Sequence, residues 1–209
     1  MLRMFWQIER MNSKMGLLES KANISRSLVR NFLSILYNRM SHQTTTYDDV
    51  DMLGNTEQID GATNTAVEFA LLQMYGNAYT RPRSSSSIRY RGVHVGIVIG
   101  EGQTGVTAAE NAYNPSTTQY DHGTGTDEFI YMGGSIRNPV VSAPYTYVDF
   151  DRIFYNDSGG SIVVKELAIN VFYDEYCYLI CRDPLDSLDW VTVNDGEYLK
   201  VTYRMRVST

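Results

Sequence analysis

Cysteine, tryptophan and histidine are scarce in this chain, with two, two and three of each in 209 residues. The two cysteines, Cys177 and Cys181 in YCYLICR, are four residues apart, which on an extended strand is about 13 Å along one face. That is too far for a disulfide or a shared metal. Two buried free thiols are expected, and no oxidising compartment is required. The three histidines, His42, His94 and His122, show no H-x-x-H spacing, so no metal motif emerges. A G-x-S-x-G elbow is missing, which argues against an α/β-hydrolase. No apolar run approaches the roughly 18 residues that cross a bilayer as a helix, and no membrane partner is expected. The opening MLRMFWQIERMNSKMGLLESK lacks a continuous apolar stretch and a cleavage site, so a signal peptide is rejected. An Arg-bearing transit peptide is the weaker reading of that segment. There is no internal repeat.

Charge is plentiful but uneven within a net −6. Residues 1–42 carry seven basic residues (Arg3, Arg10, Lys14, Lys21, Arg26, Arg30, Arg39) against Glu9 and Glu19, giving +5. The remainder carries 11 basic against 22 acidic residues, giving −11. Such asymmetry suggests different surroundings for the two parts, or a basic segment docked on its own acidic body. In residues 24–40, ISRSLVRNFLSILYNRM, Leu28, Val29, Phe32, Leu33, Leu36 and Met40 recur at three- and four-residue steps. Arg26 and Arg30 fall elsewhere on the wheel and Asn23 is placed to cap, so an amphipathic helix is predicted. Upstream, Met1, Leu2, Met4, Phe5, Trp6, Ile8 and Met11 form a second apolar cluster, read as a companion helix. Residues 41–64 are polar and acidic and read as a linker or extended arm. Thr65 to Gly76 offers one further short helix.

From Ile88 onward the period changes to two. Val93, Val95, Ile97 and Ile99 share a face, as do Val148, Phe150 and Phe154. Val163, Leu167, Ile169 and Val171 alternate, and Leu199, Val201, Tyr203, Met205 and Val207 alternate against Lys200, Thr202, Arg204 and Arg206. Turn chemistry separates these runs at Asn156–Gly160, Asp174-Glu175, Asp183-Pro184 and Asn194–Gly196. Sixteen tyrosines add to the β leaning. The pattern predicts an antiparallel sandwich or barrel.

Three stretches carry chemistry-bearing residues. Gly100-Glu101-Gly102-Gln103-Thr104-Gly105 spells the dinucleotide fingerprint after a strand, but VTAAENAYNP permits about two helical turns before Pro115 and no strand–helix alternation follows. A flexible turn leaving a strand is expected there, with no cofactor. YDHGTGTDE, with Asp121, His122, Asp127 and Glu128, has the residue types of a metal or acid–base site but reads as a polar loop. TRPRSSSSIRYR carries Arg81, Arg83, Arg89 and Arg91. In a chain of acidic balance it reads as a solvated arm or subunit contact, against nucleic acid.

Four pieces occur in fixed order: GVHVGIVIGEGQTGVTAAENA, DHGTGTDEFIYMGG, FDRIFYNDSGGSIVVKELAIN and YLICRDPLDSLDWVTVNDGEYLKVTYRMRV. Together, over residues 88–207, they resemble a group of uncharacterised structural proteins of tailed bacteriophages and related viruses. The aromatic-Asn-x-Ser-Gly and I-x-V-K-E pair, Phe154 to Gly159 and Ile162 to Glu166, also looks like tail-collar and tail-fibre domains. The resemblance implies a mainly β, jelly-roll-like sandwich building block and carries no catalytic residue.

The expected organisation is an N-terminal helical and extended assembly arm (1–64), a connector (65–87) and a β-sandwich (88–209). The expected function is a non-enzymatic virion protein of the neck, tail or capsid surface, localised to the virion and assembled in the host cytoplasm. Its partners would be other virion proteins and copies of itself. Phe5, Trp6, Ile8, Leu28, Phe32, Leu33 and Leu36, with Arg26 and Arg30, are the candidate subunit contacts. The alternative is a carbohydrate- or receptor-binding module, with a glycan stacking on Tyr113, Tyr120, Tyr131, Tyr145 or Tyr147. A glycosidase using Asp/Glu pairs is the third reading.

Overall fold

The computed structural model describes residues 2–25, 47–50, 56–59, 96–102, 119–173 and 176–208. In chain order its strands are β1 (Leu2–Met11), β2 (Leu17–Ile24), β3 (Tyr47–Val50), β4 (Thr56–Ile59), β5 (Gly96–Gly100), β6 (Asp121–His122) and β7 (Glu128–Ile136). They continue with β8 (Val140–Ser142), β9 (Tyr145–Tyr155), β10 (Ile162–Val164), β11 (Glu166–Tyr173), β12 (Tyr176–Pro184), β13 (Val191–Val193) and β14 (Tyr198–Ser208). The protein is mainly β, and no helix occurs among the described residues.

The largest sheet runs β2-β1-β14-β9-β7-β6, with β8 added to β9. A three-stranded sheet runs β12-β11-β5, while β10 pairs β13 and β3 pairs β4. All pairings are antiparallel except the short parallel β6–β7 pair.

The N-terminal segment departs from expectation. Residues 2–24 form a β-hairpin, and β1 pairs along its whole length with β14, from Leu2 opposite Val207 to Met11 opposite Tyr198. Two periods compete in its sequence. Met1, Met4, Ile8 and Met11 fit a helix, whereas Leu2, Met4, Trp6 and Ile8 fit a strand, and so short a run does not discriminate between them. The turn decides. The Asn12 side-chain oxygen accepts from the amides of Lys14 and Gly16, each at 2.9 Å, and Met15 takes a left-handed φ of 61°. Asn23, expected to cap a helix, lies inside β2. The rest of that expected helix, including Arg26, Leu28, Arg30, Phe32, Leu33 and Leu36, lies outside the described residues, as does the expected helix at 65–76.

The C-terminal strands follow their pattern. Leu199, Val201 and Tyr203 are fully buried while Lys200, Thr202 and Arg204 point away. One run divides differently: Ile162 and Val164, not Val163, face inward on β10, and Lys165 resets the alternation before Leu167 and Ile169. Asp183-Pro184 ends edge strand β12 instead of making a turn, where a proline removes no needed donor.

One continuous core joins the sheets. Ile8, Phe129, Phe154 and Val201 from the large sheet meet Ile97, Ile99, Leu167, Ile169 and Leu179 from the three-stranded sheet. Phe154 stands edge-on to Tyr131 (4.8 Å, 81°) and Phe129 (6.4 Å, 78°), the arrangement ring quadrupoles favour. Polar residues bind the layers. Arg152, 1% exposed, donates to the carbonyls of Met132 and Ile97 at 3.0 Å each, and the Tyr203 hydroxyl donates to Asp183 at 2.9 Å.

Candidate functional site

The inward residues of β1, β14 and β9 build the core, so the intervening residues form a second, largely half-buried face. Residues directly opposite in an antiparallel ladder lie side by side on one face. Phe5 is opposite Arg204 on one side and Ile24 on the other. Arg3 is opposite Arg206, which is opposite Tyr147, and Arg204 is opposite Asp149. The alternation that fills the core therefore also gathers arginines and aromatics at one end of the outer face.

Their geometry is tight. The Arg206 guanidinium lies between two rings, 4.3 Å from the Phe5 centroid and 4.0 Å from that of Tyr145. Arg204 lies 4.0 Å over Tyr147 and donates through Nε and Nη2 to the two oxygens of Asp149 at 2.7 and 2.8 Å. That two-pronged bond, the strongest ion-pair geometry available to a carboxylate, raises the Arg204 pKa further. Each ring contact contributes about 0.5–1 kcal/mol at an exposed site, and together they hold flexible arginines in fixed positions. No carboxylate of the described residues lies within ion-pair distance of Arg206. Asp149 therefore offsets Arg204, and the charge of Arg206 is left to the two rings that hold it. Farther along, Tyr155 and Tyr198 stack at 4.7 Å and 29°. Rigid arginines and tyrosines at low ordering cost are what protein contact surfaces concentrate.

The sequence-derived candidates are divided by this fold. Phe5 belongs to the outer face. Trp6 and Ile8 are 4% and 1% exposed inside the chain's own core, so their apolar surface is not available for docking. Of the tyrosines proposed to stack on a glycan, Tyr145 and Tyr147 lie on the outer face and Tyr113 lies outside the described residues. Tyr120 and Tyr131 are core residues: their hydroxyls donate to the carbonyls of Val163 (2.8 Å) and Tyr120 (2.7 Å), and burial raises both pKa values.

The remaining motifs resolve into structural parts. Gly102, at φ +68°, turns the chain out of β5 where a Cβ would come within 3.2 Å of the Lys165 carbonyl oxygen, and β5 lies in an antiparallel sheet. Gln103 to Gly105 and TRPRSSSSIRYR lie outside the described residues. In the polar loop, Glu128 accepts from the Gly125 amide (2.8 Å) and His122 Nδ1 from the Tyr131 amide (3.0 Å). Among the described residues no three metal-ligating side chains converge. Cys181 is a buried free thiol beside Ser25 (3.2 Å) and Asp183 (3.4 Å), and desolvation pushes its pKa well up.

Two buried devices escaped the sequence reading. Asn156 donates to the carbonyls of Gly160 and Val193, both at 2.8 Å, and accepts from Ser158. It thereby fastens the aromatic-Asn-x-Ser-Gly turn to β13. Glu166, the last residue of I-x-V-K-E, forms a buried two-pronged ion pair with Arg182. The narrow cleft beside it, lined by Ile99, Gly100, Gln119 and Ala168 among others, leaves no room for even a water molecule, whereas ligand pockets usually enclose roughly 300 Å³ or more. No family model matches this sequence, and no curated protein or solved structure matches it.

Proposed function

We propose that this chain is a non-enzymatic structural protein of a tailed-bacteriophage virion, a neck, tail or capsid-decoration subunit built as a jelly-roll-like β-sandwich. The observation that carries this reading is the outer face, where Arg206 is clamped between Phe5 and Tyr145 and Arg204 is fixed by Tyr147 and Asp149. Pre-positioned arginines and aromatics lose little freedom on docking, which suits a surface that meets another protein. The motif resemblance over residues 88–207 supports the virion assignment and the sandwich form. Neighbouring virion proteins and further copies of the chain would be the partners. Native mass spectrometry of the full chain over a range of concentrations tests the reading: a defined ring or higher oligomer is expected, and a monomer at every concentration argues against it.

A second reading, a glycan- or receptor-binding module of the tail, draws on the stacked Tyr155–Tyr198 pair farther along the face. Flat tyrosine rings suit sugar faces. Saturable glycan binding lost in Tyr198→Ala would favour it.

A further inference from the structure

On the reading that the chain assembles, we infer that the arginine–aromatic face receives the acidic β3–β4 hairpin of a second copy. Three observations converge on this occupant. The first is charge. Residues 41–64 carry Asp48, Asp49, Asp51, Glu57 and Asp60 with no Lys or Arg, a net −5, while on the face Arg204 is matched by Asp149 and Arg206 faces no carboxylate of the described residues. The second is the hairpin's architecture. β3 and β4 have four residues each and, among the described residues, pair only with each other, and a two-stranded hairpin alone is marginal in water.

The third is position. The face ends at Ile24 of β2, which is the edge of its sheet among the described residues, so an extended hairpin has both a charged floor and a strand margin to lie against. A contact of hairpin on one copy to face on the next is heterologous: each subunit gives one element and receives the other. Such contacts close into rings when the rotation permits.

The test uses full-length chains and sedimentation velocity in low salt. The wild-type chain is expected to self-associate. Arg3→Glu/Arg206→Glu, which spares the Asp149 partner Arg204, removes the positive face; Asp48→Lys/Asp49→Lys reverses the hairpin. Each should weaken association by about tenfold or more, as should raising NaCl from about 50 to about 500 mM. Mixing the two variants juxtaposes Glu faces with Lys hairpins and should restore heterologous association. Circular dichroism melts establish folding, and Arg3→Gln/Arg206→Gln replaces the Glu variant if that one unfolds. Association unaffected by the hairpin substitutions overturns the inference. If the arginine substitutions alone abolish it, the assembly reading stands, the hairpin is not the occupant, and the face takes another segment of the second copy. A wild-type chain that is monomeric throughout overturns both.

Discussion

Replacing Trp6 with alanine separates two roles for the N-terminal segment. Trp6 is 4% exposed, opposite Tyr203 of β14 and Asn23 of β2. A buried Trp→Ala substitution costs about 3–5 kcal/mol, a large share of the roughly 5–15 kcal/mol that holds a domain folded. Because Trp6 packs inside its own chain, the loss should be the same at low and high protein concentration. Phe5→Ala, one residue away on the opposite face, should cost markedly less stability and act instead on association. Urea denaturation followed by circular dichroism at two protein concentrations measures this. A Trp6→Ala chain with an unchanged midpoint, impaired only in assembly, would refute the placement of β1 in the core.

Breaking the buried Glu166–Arg182 pair from one side should cost about 3–5 kcal/mol, whereas Glu166→Leu with Arg182→Met together should cost much less; a double-mutant cycle in urea reads the difference. Asn156→Ala orphans the carbonyls of Gly160 and Val193 and should cost about 2–4 kcal/mol, against an expected change within about 0.5 kcal/mol for Asp157→Ala on the exposed turn. Burial raises the pKa of Tyr120, Tyr131 and Tyr203. The unfolded chain therefore releases these protons first, and stability should fall as pH rises past the ordinary tyrosine value of about 10. Arg152, pushed down to about 10 by burial, acts with the opposite sign but is one group against three. Tyrosinate absorbance should show these three ionising only with unfolding. Cys181 should react with a thiol reagent only on a comparable unfolding timescale; rapid labelling of the folded protein would contradict its burial.

The C-terminal half was legible because its strands are long and half-buried. In β14 the inward Leu199, Val201 and Tyr203 alternate with charged or hydroxyl residues, and a period of two has no competing explanation. The turn at Asn194–Gly196 was equally readable, with Gly196 at φ 79°. β1 was misread because apolar residues there satisfy both periods, and its partner β14 lies almost 200 residues away, beyond any local signal. The outer face was partly visible: Phe5 and the tyrosines were noted separately, but only the β1–β14–β9 register places Phe5, Arg206 and Tyr145 together. Asn156 and Glu166 lay inside quoted motifs, yet nothing local distinguishes an exposed turn asparagine from one buried against β13, or pairs Glu166 with an arginine across a hairpin.

The most direct test of the outer face as an assembly surface is hydroxyl-radical footprinting of the full chain, dilute and assembled. Phe5, Tyr145 and Tyr147 should become protected on assembly, while exposed residues elsewhere, such as Leu188 at 87% exposure, remain reactive. Equal modification of Phe5, Tyr145 and Tyr147 in both samples would contradict the assignment.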